Sequence, residues 1–82
     1  MQRYYFHVHD GDGGLLDPEG TNLLDDDAAL RTAIGFVRSL LCEDLSKGLL
    51  DLRGRIDVVR STGELLRSVP FVECVHVVPD GA

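Results

Sequence analysis

Cysteine is scarce in the sequence, with Cys42 and Cys74 the only two among 82 residues. A secreted domain of this size usually needs several disulfides, so the scarcity argues against a disulfide scaffold. Both cysteines lie in apolar sequence surroundings, and we expect both to be buried as small hydrophobic side chains. The sequence also lacks a charged N-terminal region followed by an apolar run, so we expect no signal peptide and a cytoplasmic location.

Basic residues and long apolar runs are also in short supply. Lys and Arg number 8 against 14 Asp and Glu, which gives a net charge of −6, and no basic cluster occurs. Nucleic-acid binding depends on Lys and Arg that neutralise phosphates, so we expect no nucleic-acid partner. No apolar stretch approaches the length of a membrane span, so we expect no membrane partner. The acidic excess favours solubility and, to a small degree, a basic protein partner.

The N-terminal part of the chain has the pattern of a strand hairpin. Residues 3–10 alternate in polarity and predict a first strand. Glycine and aspartate at 10–14 supply the backbone conformations of a hairpin turn. A second strand over 15–24 is broken by the turn sequence Asp17–Gly20, and Pro18 has no amide to donate. We therefore expect this second strand to be irregular and to lie at a sheet edge.

One long helix follows, and its start is marked by Asp25–Asp27, which suit a helix N-terminus. We predict a helix from about Asp26 to Lys47, with roughly 22 residues and a length of about 33 Å. Apolar residues recur at helical spacing, namely Leu30, Ile34, Val37, Leu41 and Leu45. Ala29 and Phe36 widen this apolar face. The added width either wraps deeper into the core or forms a dimer surface, and the sequence leaves both open.

The C-terminal part predicts a second hairpin. Residues 55–60 and 64–71 have strand patterns, and a tight turn at 61–63 joins them. Residues 71–78 fit either a strand or a helical turn. With a right-handed return of the helix, the whole chain forms a single α+β domain over residues 1–82, of type β-β-α-β-β. It has one four-stranded antiparallel sheet in the order 2-1-3-4, with one long helix packed on one face. The central first strand then places its apolar side chains beneath the helix, namely Tyr4, Phe6 and Val8.

The segment with the most chemical character is the one that contains His7, His9 and Asp10. Residues two apart in a strand project from the same face, so the two imidazoles can reach one metal ion. Asp10, Asp12 or His76 could supply a third ligand. The alternative is that both histidines lie on the solvent-facing side of a half-buried sheet. We favour that alternative and assign no metal site, with the three residues as the candidates if one exists.

Other patterns that suggest chemistry have simpler explanations. The alternating acidic and glycine residues from Asp10 resemble the start of a calcium loop, but the twelfth residue is Thr21 instead of the required Glu. Helix capping accounts for Asp25–Asp27 without a carboxylate site. No local pattern marks Cys42 or Cys74 as a nucleophile. We therefore expect no catalytic residue, no bound cofactor and no enzymatic activity.

Taken as a whole, the pattern resembles a family of small proteins of unknown function that is common in rhizobia and related alphaproteobacteria. The resemblance lies in Arg3–Gly11, Asp17–Thr21, the Asp-Ala-Ala start of the helix and Val69–Phe71. It implies a bacterial, cytoplasmic protein and brings no activity with it. The order of elements is also similar in architecture to the partial RNase-H-like domain of HicB-type antitoxins, although the DNA-binding segment that many of them carry is missing.

Three functional hypotheses follow from the sequence. The first is a non-enzymatic protein-interaction module, homodimeric or bound to an unidentified protein partner, that acts through its sheet or helix surface. The second is a small metal-binding protein that uses His7 and His9. The third is an antitoxin-like partner of a basic toxin. We favour the first, because the apolar helix face is wide and no catalytic constellation is evident.

Overall fold

The computed structural model describes residues 1–11 and 13–81. Its elements in chain order are β1 (Gln2–Asp10), β2 (Gly13–Leu15), β3 (Thr21–Leu23), α1 (Asp26–Ser46), β4 (Arg55–Arg60), β5 (Leu65–Pro70) and a short 3₁₀ turn (Phe71–Cys74). The strands form one antiparallel sheet with the order β2-β1-β4-β5, and β3 also pairs with β1. The helix α1 covers one face of this sheet, which confirms the α+β class and the single long helix.

The sheet has five strands where four were expected. The predicted second strand is divided, because β2 pairs with Val8–Asp10 of β1 whereas β3 pairs with Gln2–Tyr4. Between them the chain leaves the ladder at Asp17–Gly20, where Pro18 has no amide to donate. The expected order 2-1-3-4 is accordingly replaced by two short strands on one side of β1 and by β4 and β5 on the other. The first strand is central, as predicted.

The core lies between β1, β4 and α1. Alternation along β1 points Tyr4 and Phe6 at the helix, and both are buried. The register pairs Phe6 with Val58 and Val8 with Ile56, so β4 adds its own inward residues to the same layer. The buried apolar cluster consists of Tyr4, Phe6, Ala29, Ala33, Val37, Leu41, Ile56, Val58, Val69, Phe71 and Cys74.

The side of α1 that faces the sheet agrees with the predicted stripe at Val37 and Leu41 and differs from it elsewhere. The fully buried helix residues are Ala29, Ala33, Val37 and Leu41. The predicted stripe gave more weight to the larger residues Leu30 and Ile34, which are only partly buried at its margin, and Leu45 is exposed. Small side chains on the central line let a helix approach a sheet closely, so the two alanines occupy it and the larger residues lie at its sides.

The last strand has an irregular register. A shift between Val58 and Val59 puts an extra residue into β5. Regular alternation over the predicted strand 64–71 places Leu65 on the inner face with Val69. That prediction is wrong, because the shift exposes Leu65 and packs Leu66 against the core instead. The strand lies at the sheet edge and ends at Pro70, which is the expected place for a proline because it has no amide hydrogen to donate to the ladder.

The segment that follows resolves the open choice over residues 71–78. It begins with the 3₁₀ turn, which buries Phe71 and Cys74, and no regular strand follows it. Cys74 is buried as expected, but Cys42 is exposed on α1, so the prediction that both are buried is half wrong. No helix in the described part of the chain is long and apolar enough to cross a bilayer.

Candidate functional site: an apolar groove beside the helix

A groove of about 480 Å³ runs between α1 and the segment that joins β2 to β3. Its floor is the inner face of the sheet, and its two walls are α1 and the segment Leu15–Thr21. The lining residues are Phe6, Val8, Leu15, Leu16, Asp17, Pro18, Glu19, Gly20, Thr21, Phe36, Leu40 and Ile56. We call this feature the α1 groove. It is larger than two other surface depressions beside α1, which measure about 300 and 310 Å³.

The rims of the α1 groove carry exposed apolar side chains on both sides. Leu15 and Leu16 expose 72% and 68% of their surface on the strand side. Phe36 and Leu40 expose 44% and 38% on the helix side. Contiguous apolar surface rimmed by polar residues marks interaction sites on soluble proteins. We call the protruding pair Leu15–Leu16 the leucine ridge.

Phe36 is held in place by an aromatic contact. Its ring meets the ring of Phe6 edge to face, with centroids 5.3 Å apart and an interplanar angle of 68°. This is the geometry that the charge distribution of aromatic rings favours. The helix wall of the α1 groove is therefore fixed to the floor.

The strand wall is anchored by the carboxylate of Asp17. Its Oδ2 accepts a hydrogen bond from the amide of Phe6 at 3.2 Å. Its Oδ1 accepts from the amides of Glu19 at 3.2 Å and Gly20 at 3.0 Å. The Phe6 amide lies in the stretch of β1 that neither β2 nor β3 pairs. The carboxylate thus replaces the missing strand partner and closes the turn in one arrangement.

Electrostatics at Asp17 follow from these contacts. Burial on its own raises the pKa of the carboxyl, but the amides of Gly20, Phe6 and Glu19 together outweigh it and lower the pKa. The nearby imidazole of His7 acts in the same direction. Asp17 is therefore ionised at neutral pH, and its charged oxygens accept the hydrogen bonds that hold the turn against β1.

Gly20 completes the anchor, because this position admits no side chain. Its φ is +74°, and a Cβ built on it would lie 2.9 Å from the carbonyl oxygen of Tyr4. Next to it, the guanidinium of Arg3 donates a hydrogen bond to the carbonyl oxygen of Glu19. The Asp17–Gly20 turn signal noticed in the sequence is thus the device that holds the strand wall against β1.

The histidines proposed as metal ligands have other partners. Nδ1 of His7 accepts a hydrogen bond from the amide of Asp17 at 3.0 Å, and its ring stacks on that of Tyr5 with centroids 6.4 Å apart. Nε2 of His9 lies 3.2 Å from Oδ2 of Asp57. Asp10 ends β1 and is exposed. The two imidazoles therefore have different partners: His7 contacts the backbone amide of Asp17, and His9 contacts the carboxylate of Asp57.

The remaining ligand candidates do not complete a site in the described residues. Asp12 lies outside them, and His76 lines a different groove beside the C-terminal half of α1. No group of three or more His, Cys, Asp or Glu side chains in residues 1–11 and 13–81 could hold a metal ion.

The acidic run before the helix has two structural roles. Asp25 is the N-cap, and its Oδ1 accepts from the amide of Ala28 at 2.8 Å, which confirms the capping interpretation. Asp26 instead accepts from the hydroxyl of Tyr4 at 2.7 Å and from Arg60 at 2.5 Å. The Arg60 and Tyr4 hydrogen bonds lower the pKa of Asp26. This contact ties the helix start to β1 and β4, and the sequence analysis missed it.

A second groove of about 310 Å³ lies along the C-terminal half of α1. Arg38 lines this groove, and its Nε donates a hydrogen bond to the carbonyl oxygen of Cys74 at 2.7 Å. Leu45 and Leu50 are exposed on it. Burial raises the pKa of the Cys74 thiol, so this cysteine is not activated as a nucleophile.

The leucine ridge and the anchoring role of Asp17 were not predicted from the sequence. A signal was present, because Leu15 and Leu16 directly precede Asp17-Pro18 in a strand already assigned to an edge. Adjacent residues of a strand project to opposite sides, so two successive leucines cannot both enter the core. Exposed apolar surface was therefore predictable at this point.

Comparison with known proteins gives a family without an assigned activity. The model of a domain of unknown function, DUF6894, matches residues 3–72 of the chain. No curated protein and no solved structure matches the chain. The matched range includes β1 from its second residue, the Asp17–Gly20 anchor, α1 and both later strands, so it contains every lining residue of the α1 groove. The chain therefore belongs to the DUF6894 family.

Proposed function

We propose that the protein is a non-enzymatic protein-interaction module that works as a homodimer through apolar surface beside α1. The observation that carries this proposal is the balance of apolar side chains. Among the described residues, thirteen large apolar side chains are exposed, against eleven residues in the buried core. Four of the thirteen, Leu15, Leu16, Phe36 and Leu40, line the α1 groove, and contiguous exposed apolar surface of this kind marks an interaction site on a soluble protein.

The amount of exposed surface supports the same proposal. A folded monomer of 9.0 kDa is expected to expose about 4,850 Å². This chain exposes 5667 Å², because it is a thin, elongated body of 46 × 25 × 18 Å. The excess is about 800 Å², so the chain has enough additional surface to supply one side of a protein–protein interface of standard size.

The chemistry of the α1 groove is also that of a docking surface. Asp17 and Glu19 are its two acidic lining residues, and the Asp17 carboxylate is occupied by three amides. General acid–base work needs a group that is within reach of a substrate and has a pKa near the working pH. The pKa of the Asp17 carboxyl is lowered, which moves it further from a neutral working pH and makes this group unsuited to acid–base catalysis.

Light scattering coupled to size-exclusion chromatography tests the homodimer. At about 50 µM the expected mass is twice the 9.0 kDa of one chain. A mass of one chain at this concentration contradicts the proposal. The protein should be purified without a histidine tag, so that the chain's own histidines are the only ones in the sample.

The other hypotheses from the sequence stay predictions. A metal site at His7 and His9 is checked by elemental analysis of the same tag-free protein. An antitoxin-like role predicts a neighbouring gene for a small basic toxin. The bacterial origin and cytoplasmic location follow from the resemblance in the sequence and stay expectations as well.

A further inference from the structure

We infer that the occupant of the α1 groove is the leucine ridge of a second copy of this chain, exchanged about a two-fold axis. This inference rests on the homodimer proposed above and specifies its contact surface. Each copy would place Leu15 and Leu16 against Phe36 and Leu40 of the other copy.

The position of the leucine ridge carries the inference. Leu15 and Leu16 are themselves lining residues of the α1 groove, so protrusion and depression are neighbours on one surface. In a two-fold dimer the same patch meets itself, and residue i contacts residue j of the other copy while j contacts i. A ridge next to a groove is self-complementary under such an axis when the axis passes between them.

The dimensions agree with this exchange. At roughly 30 Å³ for each group the size of a water molecule, the eight side-chain carbons of two leucines need about 240 Å³. The α1 groove has about 480 Å³, so it accepts both side chains and leaves room for their approach.

The leucine ridge is also preorganised. Leu15 belongs to β2 and is paired with Val8, and the amide and carboxylate of Asp17 fix the chain two residues later. A segment that is already rigid in its bound conformation loses little entropy on association. The cost of docking is therefore lower than for a mobile loop of the same composition.

The lining of the α1 groove favours the leucine ridge of a second copy over a basic segment, although the net charge of −6 on each copy opposes dimerisation. The Asp17 carboxylate is engaged by amides, so Glu19 is the one acidic lining residue left to attract a cation. Exposed leucine and phenylalanine side chains dominate the rims. An apolar ridge can pack against these side chains, whereas a basic segment would have a single carboxylate, that of Glu19, with which to pair.

Sedimentation equilibrium of three single variants tests the contact. We expect Leu16→Asp and Leu40→Asp each to weaken the dimer about 100-fold or more, because the change occurs twice in a symmetric interface and buries charge in its centre. The matched control is Leu65→Asp, which alters a leucine that is 53% exposed on β5 at the opposite edge of the sheet. It should leave the dissociation constant within about threefold. Because all three positions are exposed, far-ultraviolet circular dichroism should show an unchanged fold.

A mixing experiment then tests whether ridge and groove face each other. We expect Leu16→Lys and Leu40→Asp to be monomeric alone and to form a heterodimer when mixed, since the introduced lysine would meet the introduced aspartate. Failure of the mixture to associate overturns the exchange. A wild-type dimer that Leu16→Asp and Leu40→Asp leave intact also overturns it, but keeps the homodimer. A monomeric wild-type chain overturns the homodimer itself.

Discussion

Replacing Asp17 by alanine removes the side chain that fixes the strand wall of the groove. A hydrogen bond to a charged group contributes about 1.5–3 kcal/mol. The Glu19 amide is exposed and regains water, whereas the amides of Phe6 and Gly20 are half-buried and lose their acceptor. Water reaches both half-buried amides in part, so the loss is smaller than the sum of two such bonds, and we expect Asp17→Ala to lower the free energy of unfolding by about 2–3 kcal/mol. That is a large part of the total for a chain of 82 residues.

Urea unfolding followed by circular dichroism at pH 7 measures the change. With a denaturant slope of about 1 kcal/mol/M, the midpoint should fall by about 2–3 M. Glu19→Ala is the control, because its side chain is exposed and its amide is retained, and it should shift the free energy by less than about 0.5 kcal/mol. Equal midpoints for Asp17→Ala and Glu19→Ala would refute the anchoring role.

The Asp17 carboxyl also makes the stability of the wild type depend on pH. The amides lower the folded-state pKa of Asp17 below its unfolded value, so the native state binds its proton less readily than the unfolded chain. The resulting stability is fully present above the unfolded pKa, near 3.9, and is lost as the pH falls through the folded pKa. Below pH 4 the wild type should therefore lose stability more steeply than Asp17→Asn. Parallel curves from pH 5 to 2 would contradict this linkage.

Three further outcomes check other parts of the structure. Gly20→Ala should cost about 2 kcal/mol or more in urea unfolding, because its φ is +74° and its Cβ would lie 2.9 Å from the Tyr4 carbonyl oxygen. Tyr4→Phe removes the hydroxyl that donates to Asp26 and should cost about 1–2 kcal/mol by the same measurement. A thiol reagent should modify exposed Cys42 in the native protein and buried Cys74 only after unfolding, and equal rates would contradict their placement.

Much of the fold follows from the sequence because local pattern and burial agree along β1 and α1. Tyr4 and Phe6 alternate with polar residues on a strand that is buried on one face, and Asp25 caps a helix whose start it marks. What the pattern cannot give is the close approach of helix and sheet. Hydrophobicity ranks Leu30 above Ala29, yet the small residue lies on the contact line because it allows tighter packing.

The candidate site was predictable only in part, because it depends on long-range geometry. The turn at Asp17–Gly20 is clear in the sequence, but the amide of Phe6 that binds its carboxylate is eleven residues away in the chain. The contact lies at the break between β2 and β3, where the chain leaves the ladder. Leu15 ends β2, Leu16 lies outside the ladder next to the anchored turn, and both side chains are exposed, an arrangement that only the folded chain shows.

The most direct test of the central claim is the mass of the wild-type chain by sedimentation equilibrium, from about 1 to 100 µM, at low and high salt. Each copy carries a net charge of −6, so screening should strengthen association, and we expect a dimer that tightens at about 0.5 M NaCl. Sedimentation at the mass of a single chain over the whole range, in both salts, would contradict the claim that this protein works as a homodimeric interaction module.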